Sequence, residues 1–308
     1  MACLKIELLA FDSMGVRSMS TFIETPDARI HIDPAVSLAP RRYGLPPHPR
    51  EIDRLVEAGR LIEEKARRAD IIIITHYHYD HHDPGFLIPV DIYHGKIVLV
   101  KDPRSNINAS QRARASTFLK LIEPIARDIR VAEGSALRIG ETNIRISQAV
   151  PHGPTTRLGY VVEVSVKYKE NSVVYTSDVE GPCLDEHVGF ILEEKPETVI
   201  LDGPLTYMLG YRYSKKSLEA SISNLKKIID SGVKRIIVDH HLLRDLKYKE
   251  EIKEAIDYAL ARKASIITAA EYMDKPVEQL EALRKQLYEN EPVEKPEIPE
   301  NLKELLEE

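Results

Sequence analysis

The 308-residue chain contains no tryptophan, and aromatic residues make up only 6% of it. Its two cysteines, Cys3 and Cys183, are too few for a disulfide framework. They also exclude a cysteine-built metal site, apart from Cys183 acting as a lone ligand. No apolar run approaches the ~20 residues a membrane helix needs. The first residues show no charged stretch leading into a long apolar one. A soluble, cytoplasmic protein with no membrane partner is expected. Positive charge is not in excess either: 43 Lys and Arg stand against 49 Asp and Glu, a net charge of −6. This argues against non-specific nucleic-acid binding, although a local basic groove for nucleic acid stays compatible with it. Asn and Gln are sparse beside abundant Glu, Lys, Arg and Ile, the leaning of a thermophile's protein.

Against these absences stands one dense feature, His76-Tyr77-His78-Tyr79-Asp80-His81, directly after the isoleucines 71–74. Side chains on an extended chain alternate with period two, so a strand ending at Thr75 sends His76 and His78 to the same side. Asp80 and His81 follow where the backbone must turn. Such a cluster can hold two metal ions side by side, His76 and His78 on one, Asp80 and His81 on the other. Neutral imidazole and carboxylate are ligands that zinc, iron and manganese accept.

Short β-prone runs over 4–11, 19–24 and 28–33 open the chain, and the proline-rich stretch 37–50 reads as loop. Helical spacing covers 51–68, 109–123, 214–231, 249–262 and 279–288, with strands at 70–75, 96–101, 143–149, 158–166, 172–177, 197–201, 235–239 and 264–268. Strands that meander and then alternate with helices, in both halves, predict two packed β-sheets with helices outside, an α/β (α+β) domain over 1–274. Residues 37–69 read as a helical, Pro-rich insertion in it. Residues 275–308 read as a C-terminal helical, Glu-rich extension whose end, 291–308, is a disordered tail or a docking arm.

Further ligand-type residues stand where predicted strands end: Asp33, His152, Asp178, and the pair His240 and His241. The ordered set Asp33, His76-x-His78-x-Asp80-His81, His152, Asp178, His240 resembles the five-motif signature of the metallo-β-lactamase-fold superfamily, over residues 4–270. The resemblance implies a four-layer αββα sandwich with the site at one edge of the two sheets. It implies that His76, His78 and His152 bind a first metal, that Asp80, His81 and His240 bind a second, and that Asp178 bridges them. Asp33 would act from the outer shell. His241 competes with His240 for the last ligand position, and whichever of the two is not a ligand is a candidate proton donor. Arg244, four residues after His240, is similar to the final His-x-x-x-Arg stretch of tRNA-processing members. An Asp rather than a Cys at 178 resembles the dinuclear hydrolases rather than the antibiotic-degrading members. The His at 78 departs from the diiron oxygen-reducing branch. A hydrolase-like branch of the superfamily is the nearest likeness.

The expected activity is hydrolysis of a phosphoester or related ester-like bond by a metal-bound hydroxide, with two divalent ions, zinc first and manganese or iron as alternatives. Asp80 would orient the nucleophile while serving as a ligand. Residues 103–122 carry no acidic residue but contain Arg104, Arg112 and Arg114, suited to a phosphorylated substrate. Tyr207, Tyr211, Arg212 and Tyr213 form a second candidate patch, for stacking on a base. The rival expectation is an iron-dependent oxidoreductase acting on a thiol metabolite, because the ligand types alone do not fix the metal. Self-association is compatible with the composition.

Overall fold

The computed structural model describes residues 3–293 and 302–303. The first sheet takes strands β1 (Lys5–Phe11), β2 (Met19–Glu24), β3 (Arg29–Ile32), β4 (Ile71–Ile74), β5 (Ile97–Val100) and β6 (Asp128–Val131), in that order. Antiparallel at β1–β2–β3, it is parallel from β3 onwards. The second sheet contains β7 (Ala136–Ile139), β8 (Thr142–Ile146), β11 (Val164–Tyr168), β12 (Asn171–Tyr175), β13 (Thr198–Asp202), β14 (Arg235–Asp239) and β15 (Ser265–Ile267). Their order is β15-β14-β13-β12-β11-β8-β7, parallel from β12 to β15. A two-residue ribbon, β9 (Val150–Pro151) with β10 (Tyr160–Val161), lies apart from both.

The four isoleucines of β4 show how the layers form. Parallel strands are covered on both faces and so read as unbroken apolar runs. Ile71 and Ile73 join Phe11, Met19, Ile30 and Leu99 against Val164, Val173, Tyr175, Ile200 and Ile237 of the second sheet. Ile72 and Ile74 face the opposite way, onto helices α1 (Pro49–Arg68) and α2 (Ala109–Ile122) through Leu55, Ile62, Ala115 and Phe118. The far side of the second sheet is covered by α3 (Glu186–Glu194), α4 (Lys215–Asp230), the short α5 (Tyr248–Glu251) and α6 (Lys253–Ala261), with Ile191, Leu225, Ile228 and Ala255 buried on Val199, Leu201, Ile236 and Val238. The result is the αββα order expected. A one-turn α7 (Ala269–Tyr272) precedes α8 (Leu280–Asn290).

Helix α1 comes from the segment read as an insertion, and it forms the outer layer over the first sheet. Helix α8, from the C-terminal extension, is fastened to it by a buried ion pair. Arg284 donates through Nε and Nη2 to the two oxygens of Glu51, each at 2.8 Å, and both residues are fully buried. The same guanidinium donates to the carbonyls of Ala39 and Leu45, so one side chain holds the proline-rich loop, α1 and α8 together. Most of 291–308, the expected tail, lies outside the described residues.

Several elements differ from the sequence reading, among them the strand expected over 158–166, which is divided between β10 and β11. The helix expected over 249–262 is broken at Ile252 into α5 and α6. Helix α3 was not expected, because Gly189 in its centre and its nine-residue length hide its spacing. Strands β6 and β7 were missed because half-exposed Asp-Ile-Arg-Val and Ala-Leu-Arg-Ile carry little apolar signal.

Replacing Arg284 with Ala should lower the unfolding free energy by about 3–5 kcal/mol in denaturant titration, since it strands a buried carboxylate. A loss below about 1 kcal/mol would mean that the pair does not hold the layers. A second test concerns Glu163, whose two carboxyl oxygens are buried without a hydrogen-bond partner. Burial holds this carboxyl well above the usual carboxylate range. The folded state therefore keeps a proton that the unfolded chain releases, so stability is lost as pH rises above the ordinary carboxylate range. Glu163→Gln should show little advantage near pH 4 and a growing gain in Tm towards pH 8. A gain independent of pH would contradict this assignment.

Candidate metal centre

The parallel strands of both sheets end at one edge, and their exit residues meet there. Asp33 follows β3, His76 follows β4, Asp178 follows β12, Asp202 ends β13 and His240 follows β14. Asp33, Ser177 and His240 each turn the chain sharply, with φ of 51°, 58° and 57°. The left-handed region is uncommon for residues other than glycine and concentrates at functional sites.

Two groups of donors share Asp178. In the first, ligand atoms of His76, His78, His152 and Asp178 lie within 4.8 Å of one another. His76 Nε2 is 3.6 Å and His152 Nε2 3.4 Å from Asp178 Oδ2. In the second, Asp80, His81, Asp178 and His240 meet the same limit. His81 Nε2 stands 2.9 Å from Asp178 Oδ1, while His240 Nε2 is 3.4 Å from Asp178 Oδ2 and 3.6 Å from Asp80 Oδ2. Nε2 of His76 and His152 and Oδ1 of Asp80 are buried without a hydrogen-bond partner, and Nε2 of His81 faces only Asp178 Oδ1. Each such orphan costs about 1–3 kcal/mol unless something coordinates it. Borderline nitrogen and hard oxygen donors facing one space fit divalent cations.

Outer partners fix the imidazoles. A carboxylate only accepts hydrogen bonds, so His81 Nδ1 donates to Asp33 at 2.8 Å and His240 Nδ1 donates to Asp12 at 2.7 Å. In both rings the Nε2 lone pair is thereby turned inward. His76 Nδ1 lies 3.2 Å from Ser177 Oγ. Asp33 also accepts from the backbone N–H of Thr75 (2.8 Å), its hydroxyl (2.5 Å) and Tyr175 OH (2.7 Å), which locks the carboxylate in place. Burial pushes His78 down to about 3, with His152 adding to the effect. Burial also opposes a proton on His240, but Asp178 and Asp12 overcome it and hold that ring up to about 10. The second half of the centre is thus an electronegative trap.

His241 borders this group but is held by a different carboxylate. Its Nδ1 meets Asp202 Oδ2 at 2.9 Å, and its backbone N–H donates to Asp202 Oδ1. His241, Asp202 and Asp178 form a third, overlapping cluster. Next to the hexapeptide, Asp83 accepts four backbone N–H bonds from residues 85–88, and His82 Nδ1 donates to the carbonyl of His78. Both organise the loop.

The expected substrate residues divide. Arg114 lies 4.3 Å over the ring of Tyr79, and its charge acts on His78. Arg104 and Arg112 are exposed, and Arg112 donates to the Arg104 carbonyl. Tyr207 lies under Arg42, whose guanidinium carbon is 4.5 Å from the ring centre. Tyr211 is 83% exposed at a loop tip, and Arg212 faces Glu180 at 3.8 Å. Tyr213 was read as a stacking residue, but it is buried in a core cluster with its hydroxyl 2.7 Å from Ser221 Oγ. Sequence reasoning missed Asp12, Tyr175 and Asp202. Asp12 carries the signal used for the others, a carboxylate directly after an apolar strand.

Layers and site together define a metallo-β-lactamase-fold protein. YhfI from Bacillus subtilis, a protein of that fold, matches with a TM-score of 0.51 over 86% of this chain and 95% of its own, at 15% identity. Unliganded yeast PDE1 matches with a TM-score of 0.51 over 87% and 98%, at 13% identity. At such identities the likeness concerns the fold alone. No protein-family model matches the chain. The chain belongs to the UPF0282 family: it is 53% identical over 297 residues to the UPF0282 protein of Korarchaeum cryptofilum, across 96% of this chain and 98% of that one.

Asp12→Asn should weaken metal affinity by about 10–100-fold, the usual penalty for losing an outer partner of a ligating imidazole. Competition with a calibrated chelator measures it. Wild-type affinity in this variant would remove Asp12 from the centre.

Proposed function

We propose that the protein is a dinuclear metal-dependent hydrolase acting on a phosphoester or a related ester-like bond. The observation that carries this reading is the shared Asp178 carboxylate, with buried imidazole nitrogens on either side of it. His76, His78 and His152 would hold one ion, Asp80, His81 and His240 the other, and Asp178 both. Bound there, two divalent ions, zinc in the first instance, would lower the pKa of a shared water towards neutrality and stabilise the charge that develops on the reacting group. Asp80, 3.6 Å from His240 Nε2, would orient the attacking water while serving as a ligand. His241, held through Nδ1 by Asp202 with burial disfavouring its charged form, is the group this reading assigns to relay a proton from the attacking water to the leaving group. Arg114, fixed over Tyr79, supplies positive charge at the rim beside His78 and favours an anionic substrate. The substrate partner is then a small phosphoester. Among the described residues no helix is long and apolar enough to cross a membrane.

Protein purified without added metal should contain about two zinc or manganese ions per chain by plasma mass spectrometry. It should hydrolyse a generic phosphodiester, and Asp178→Ala should lose both metal and turnover, by more than the roughly 10–100-fold of an outer-shell change. Iron in the centre, oxygen uptake with a thiol substrate and no phosphoester turnover would sink the proposal in favour of an oxidoreductase.

A further inference from the structure

Arg244 is not a candidate ligand, yet its guanidinium is aimed at the metal centre. The side chain is 4% exposed and ends the 3-10 turn His240–Arg244 that leaves β14. Nε donates to Asp12 Oδ1 at 2.8 Å, on the carboxylate whose other oxygen receives His240 Nδ1. Its backbone carbonyl accepts from Arg42 Nη2 at 3.0 Å, so the turn is held from outside as well. Nη2 points inward, 3.3 Å from His240 Nε2.

That last contact cannot survive loading of the centre. Whether it carries a proton or is given to a cation, His240 Nε2 accepts no hydrogen bond. The next acceptor in the direction of Nη2 is Asp80 Oδ2 at 4.0 Å, which is out of range and itself a candidate ligand. Among the described residues, a buried, permanently charged N–H is then left beside the donor group with no acceptor in hydrogen-bond range, a condition that native structures rarely tolerate. We infer that Arg244 is a substrate-contacting residue whose Nη2 donates to an anionic oxygen of the reacting group, and that this group is phosphoryl. The inference rests on the hydrolase reading above and names the recognition element of the same site. A planar guanidinium matches phosphoryl oxygens and strengthens its hydrogen bond with charge. Arg114 provides a second cation beside the other donor group.

Inorganic phosphate is the probe, titrated calorimetrically into the metal-loaded protein at fixed ionic strength, with metal content measured on the same samples. Arg244→Gln should keep the wild-type metal content while its phosphate dissociation constant rises at least tenfold. Arg244→Lys keeps the charge but not the fork, and should weaken phosphate binding several-fold. If the Gln variant does not fold, the Lys variant carries the test. Unchanged phosphate affinity at full metal content overturns the inference and leaves the hydrolase reading standing. Loss of metal from both variants also overturns it, because Arg244 would then be a buttress for Asp12 and His240. A loaded wild-type protein that binds no phosphate overturns the phosphoester reading itself, and the role of Arg244 with it.

Discussion

The Asp178 carboxylate is the point on which this structure turns. Four imidazole nitrogens stand within 3.6 Å of its oxygens, and Asp80 shares His240 with it. Nothing in ordinary packing favours that arrangement. Burying carboxylates and imidazoles together removes their hydration, and it is tolerable only when each group is paired or coordinated. The surrounding structure is built to hold the donors there regardless. Three residues with left-handed backbone redirect the strands, and Asp33 and Asp12 each fix one imidazole from behind. The two sheets make this possible, since Asp178 and His240 stand just beyond strands whose last residues are buried, and His76 just beyond the wholly buried β4.

Much of this was legible in the chain. The hexapeptide announced itself because histidine is scarce and its spacing repeats with the strand period. Asp178 and His152 were readable because each follows an apolar run, and the isoleucines of β4 revealed a strand buried on both faces. Asp12 offered the same signal and went unread because nothing near it in sequence suggested chemistry. Its role arises from contact with His240 and Arg244, more than 200 residues away. Asp202 and Tyr175 are similar: an ordinary strand residue acquires a function only through what the other strands place beside it. Tyr213 erred in the opposite direction, since a local cluster of aromatics says nothing of which ring faces inward. The preference for His240 over His241 as the residue beside Asp80 is a matter of one turn of backbone, with φ of 57° at His240, that no sequence pattern encodes.

The two halves of the centre are supported differently. His76, His78 and His152 come from the segments that follow β4 and the short β9, and their rings pack on one another with centroids 4.7–5.2 Å apart. The half around His240 is braced by the C-terminal segment. Glu278 N donates to the Ser13 carbonyl, next to Asp12, and Gln279 Nε2 donates to the carbonyls of Leu243 and Asp245 around Arg244. Arg17 pairs with Glu281 on α8, and the charge of Arg244 reaches both.

A helix that looked like an appendage therefore has a structural reason to be where it is. Arg244 must hold a full positive charge, buried, within hydrogen-bond reach of a ligating imidazole, and a side chain in that position drifts or repels unless its backbone is fixed. Asp12 neutralises the charge but stands on the β1–β2 connection, itself a turn. Glu278 ties that turn, Gln279 ties the turn that carries Arg244, and Arg284 locks the whole of α8 to α1. The chain of contacts runs from the outer helical layer to the turn that carries the guanidinium. The turn that carries Arg244 is thus braced by residues 278–284, outside the stretch over which the superfamily resemblance extends.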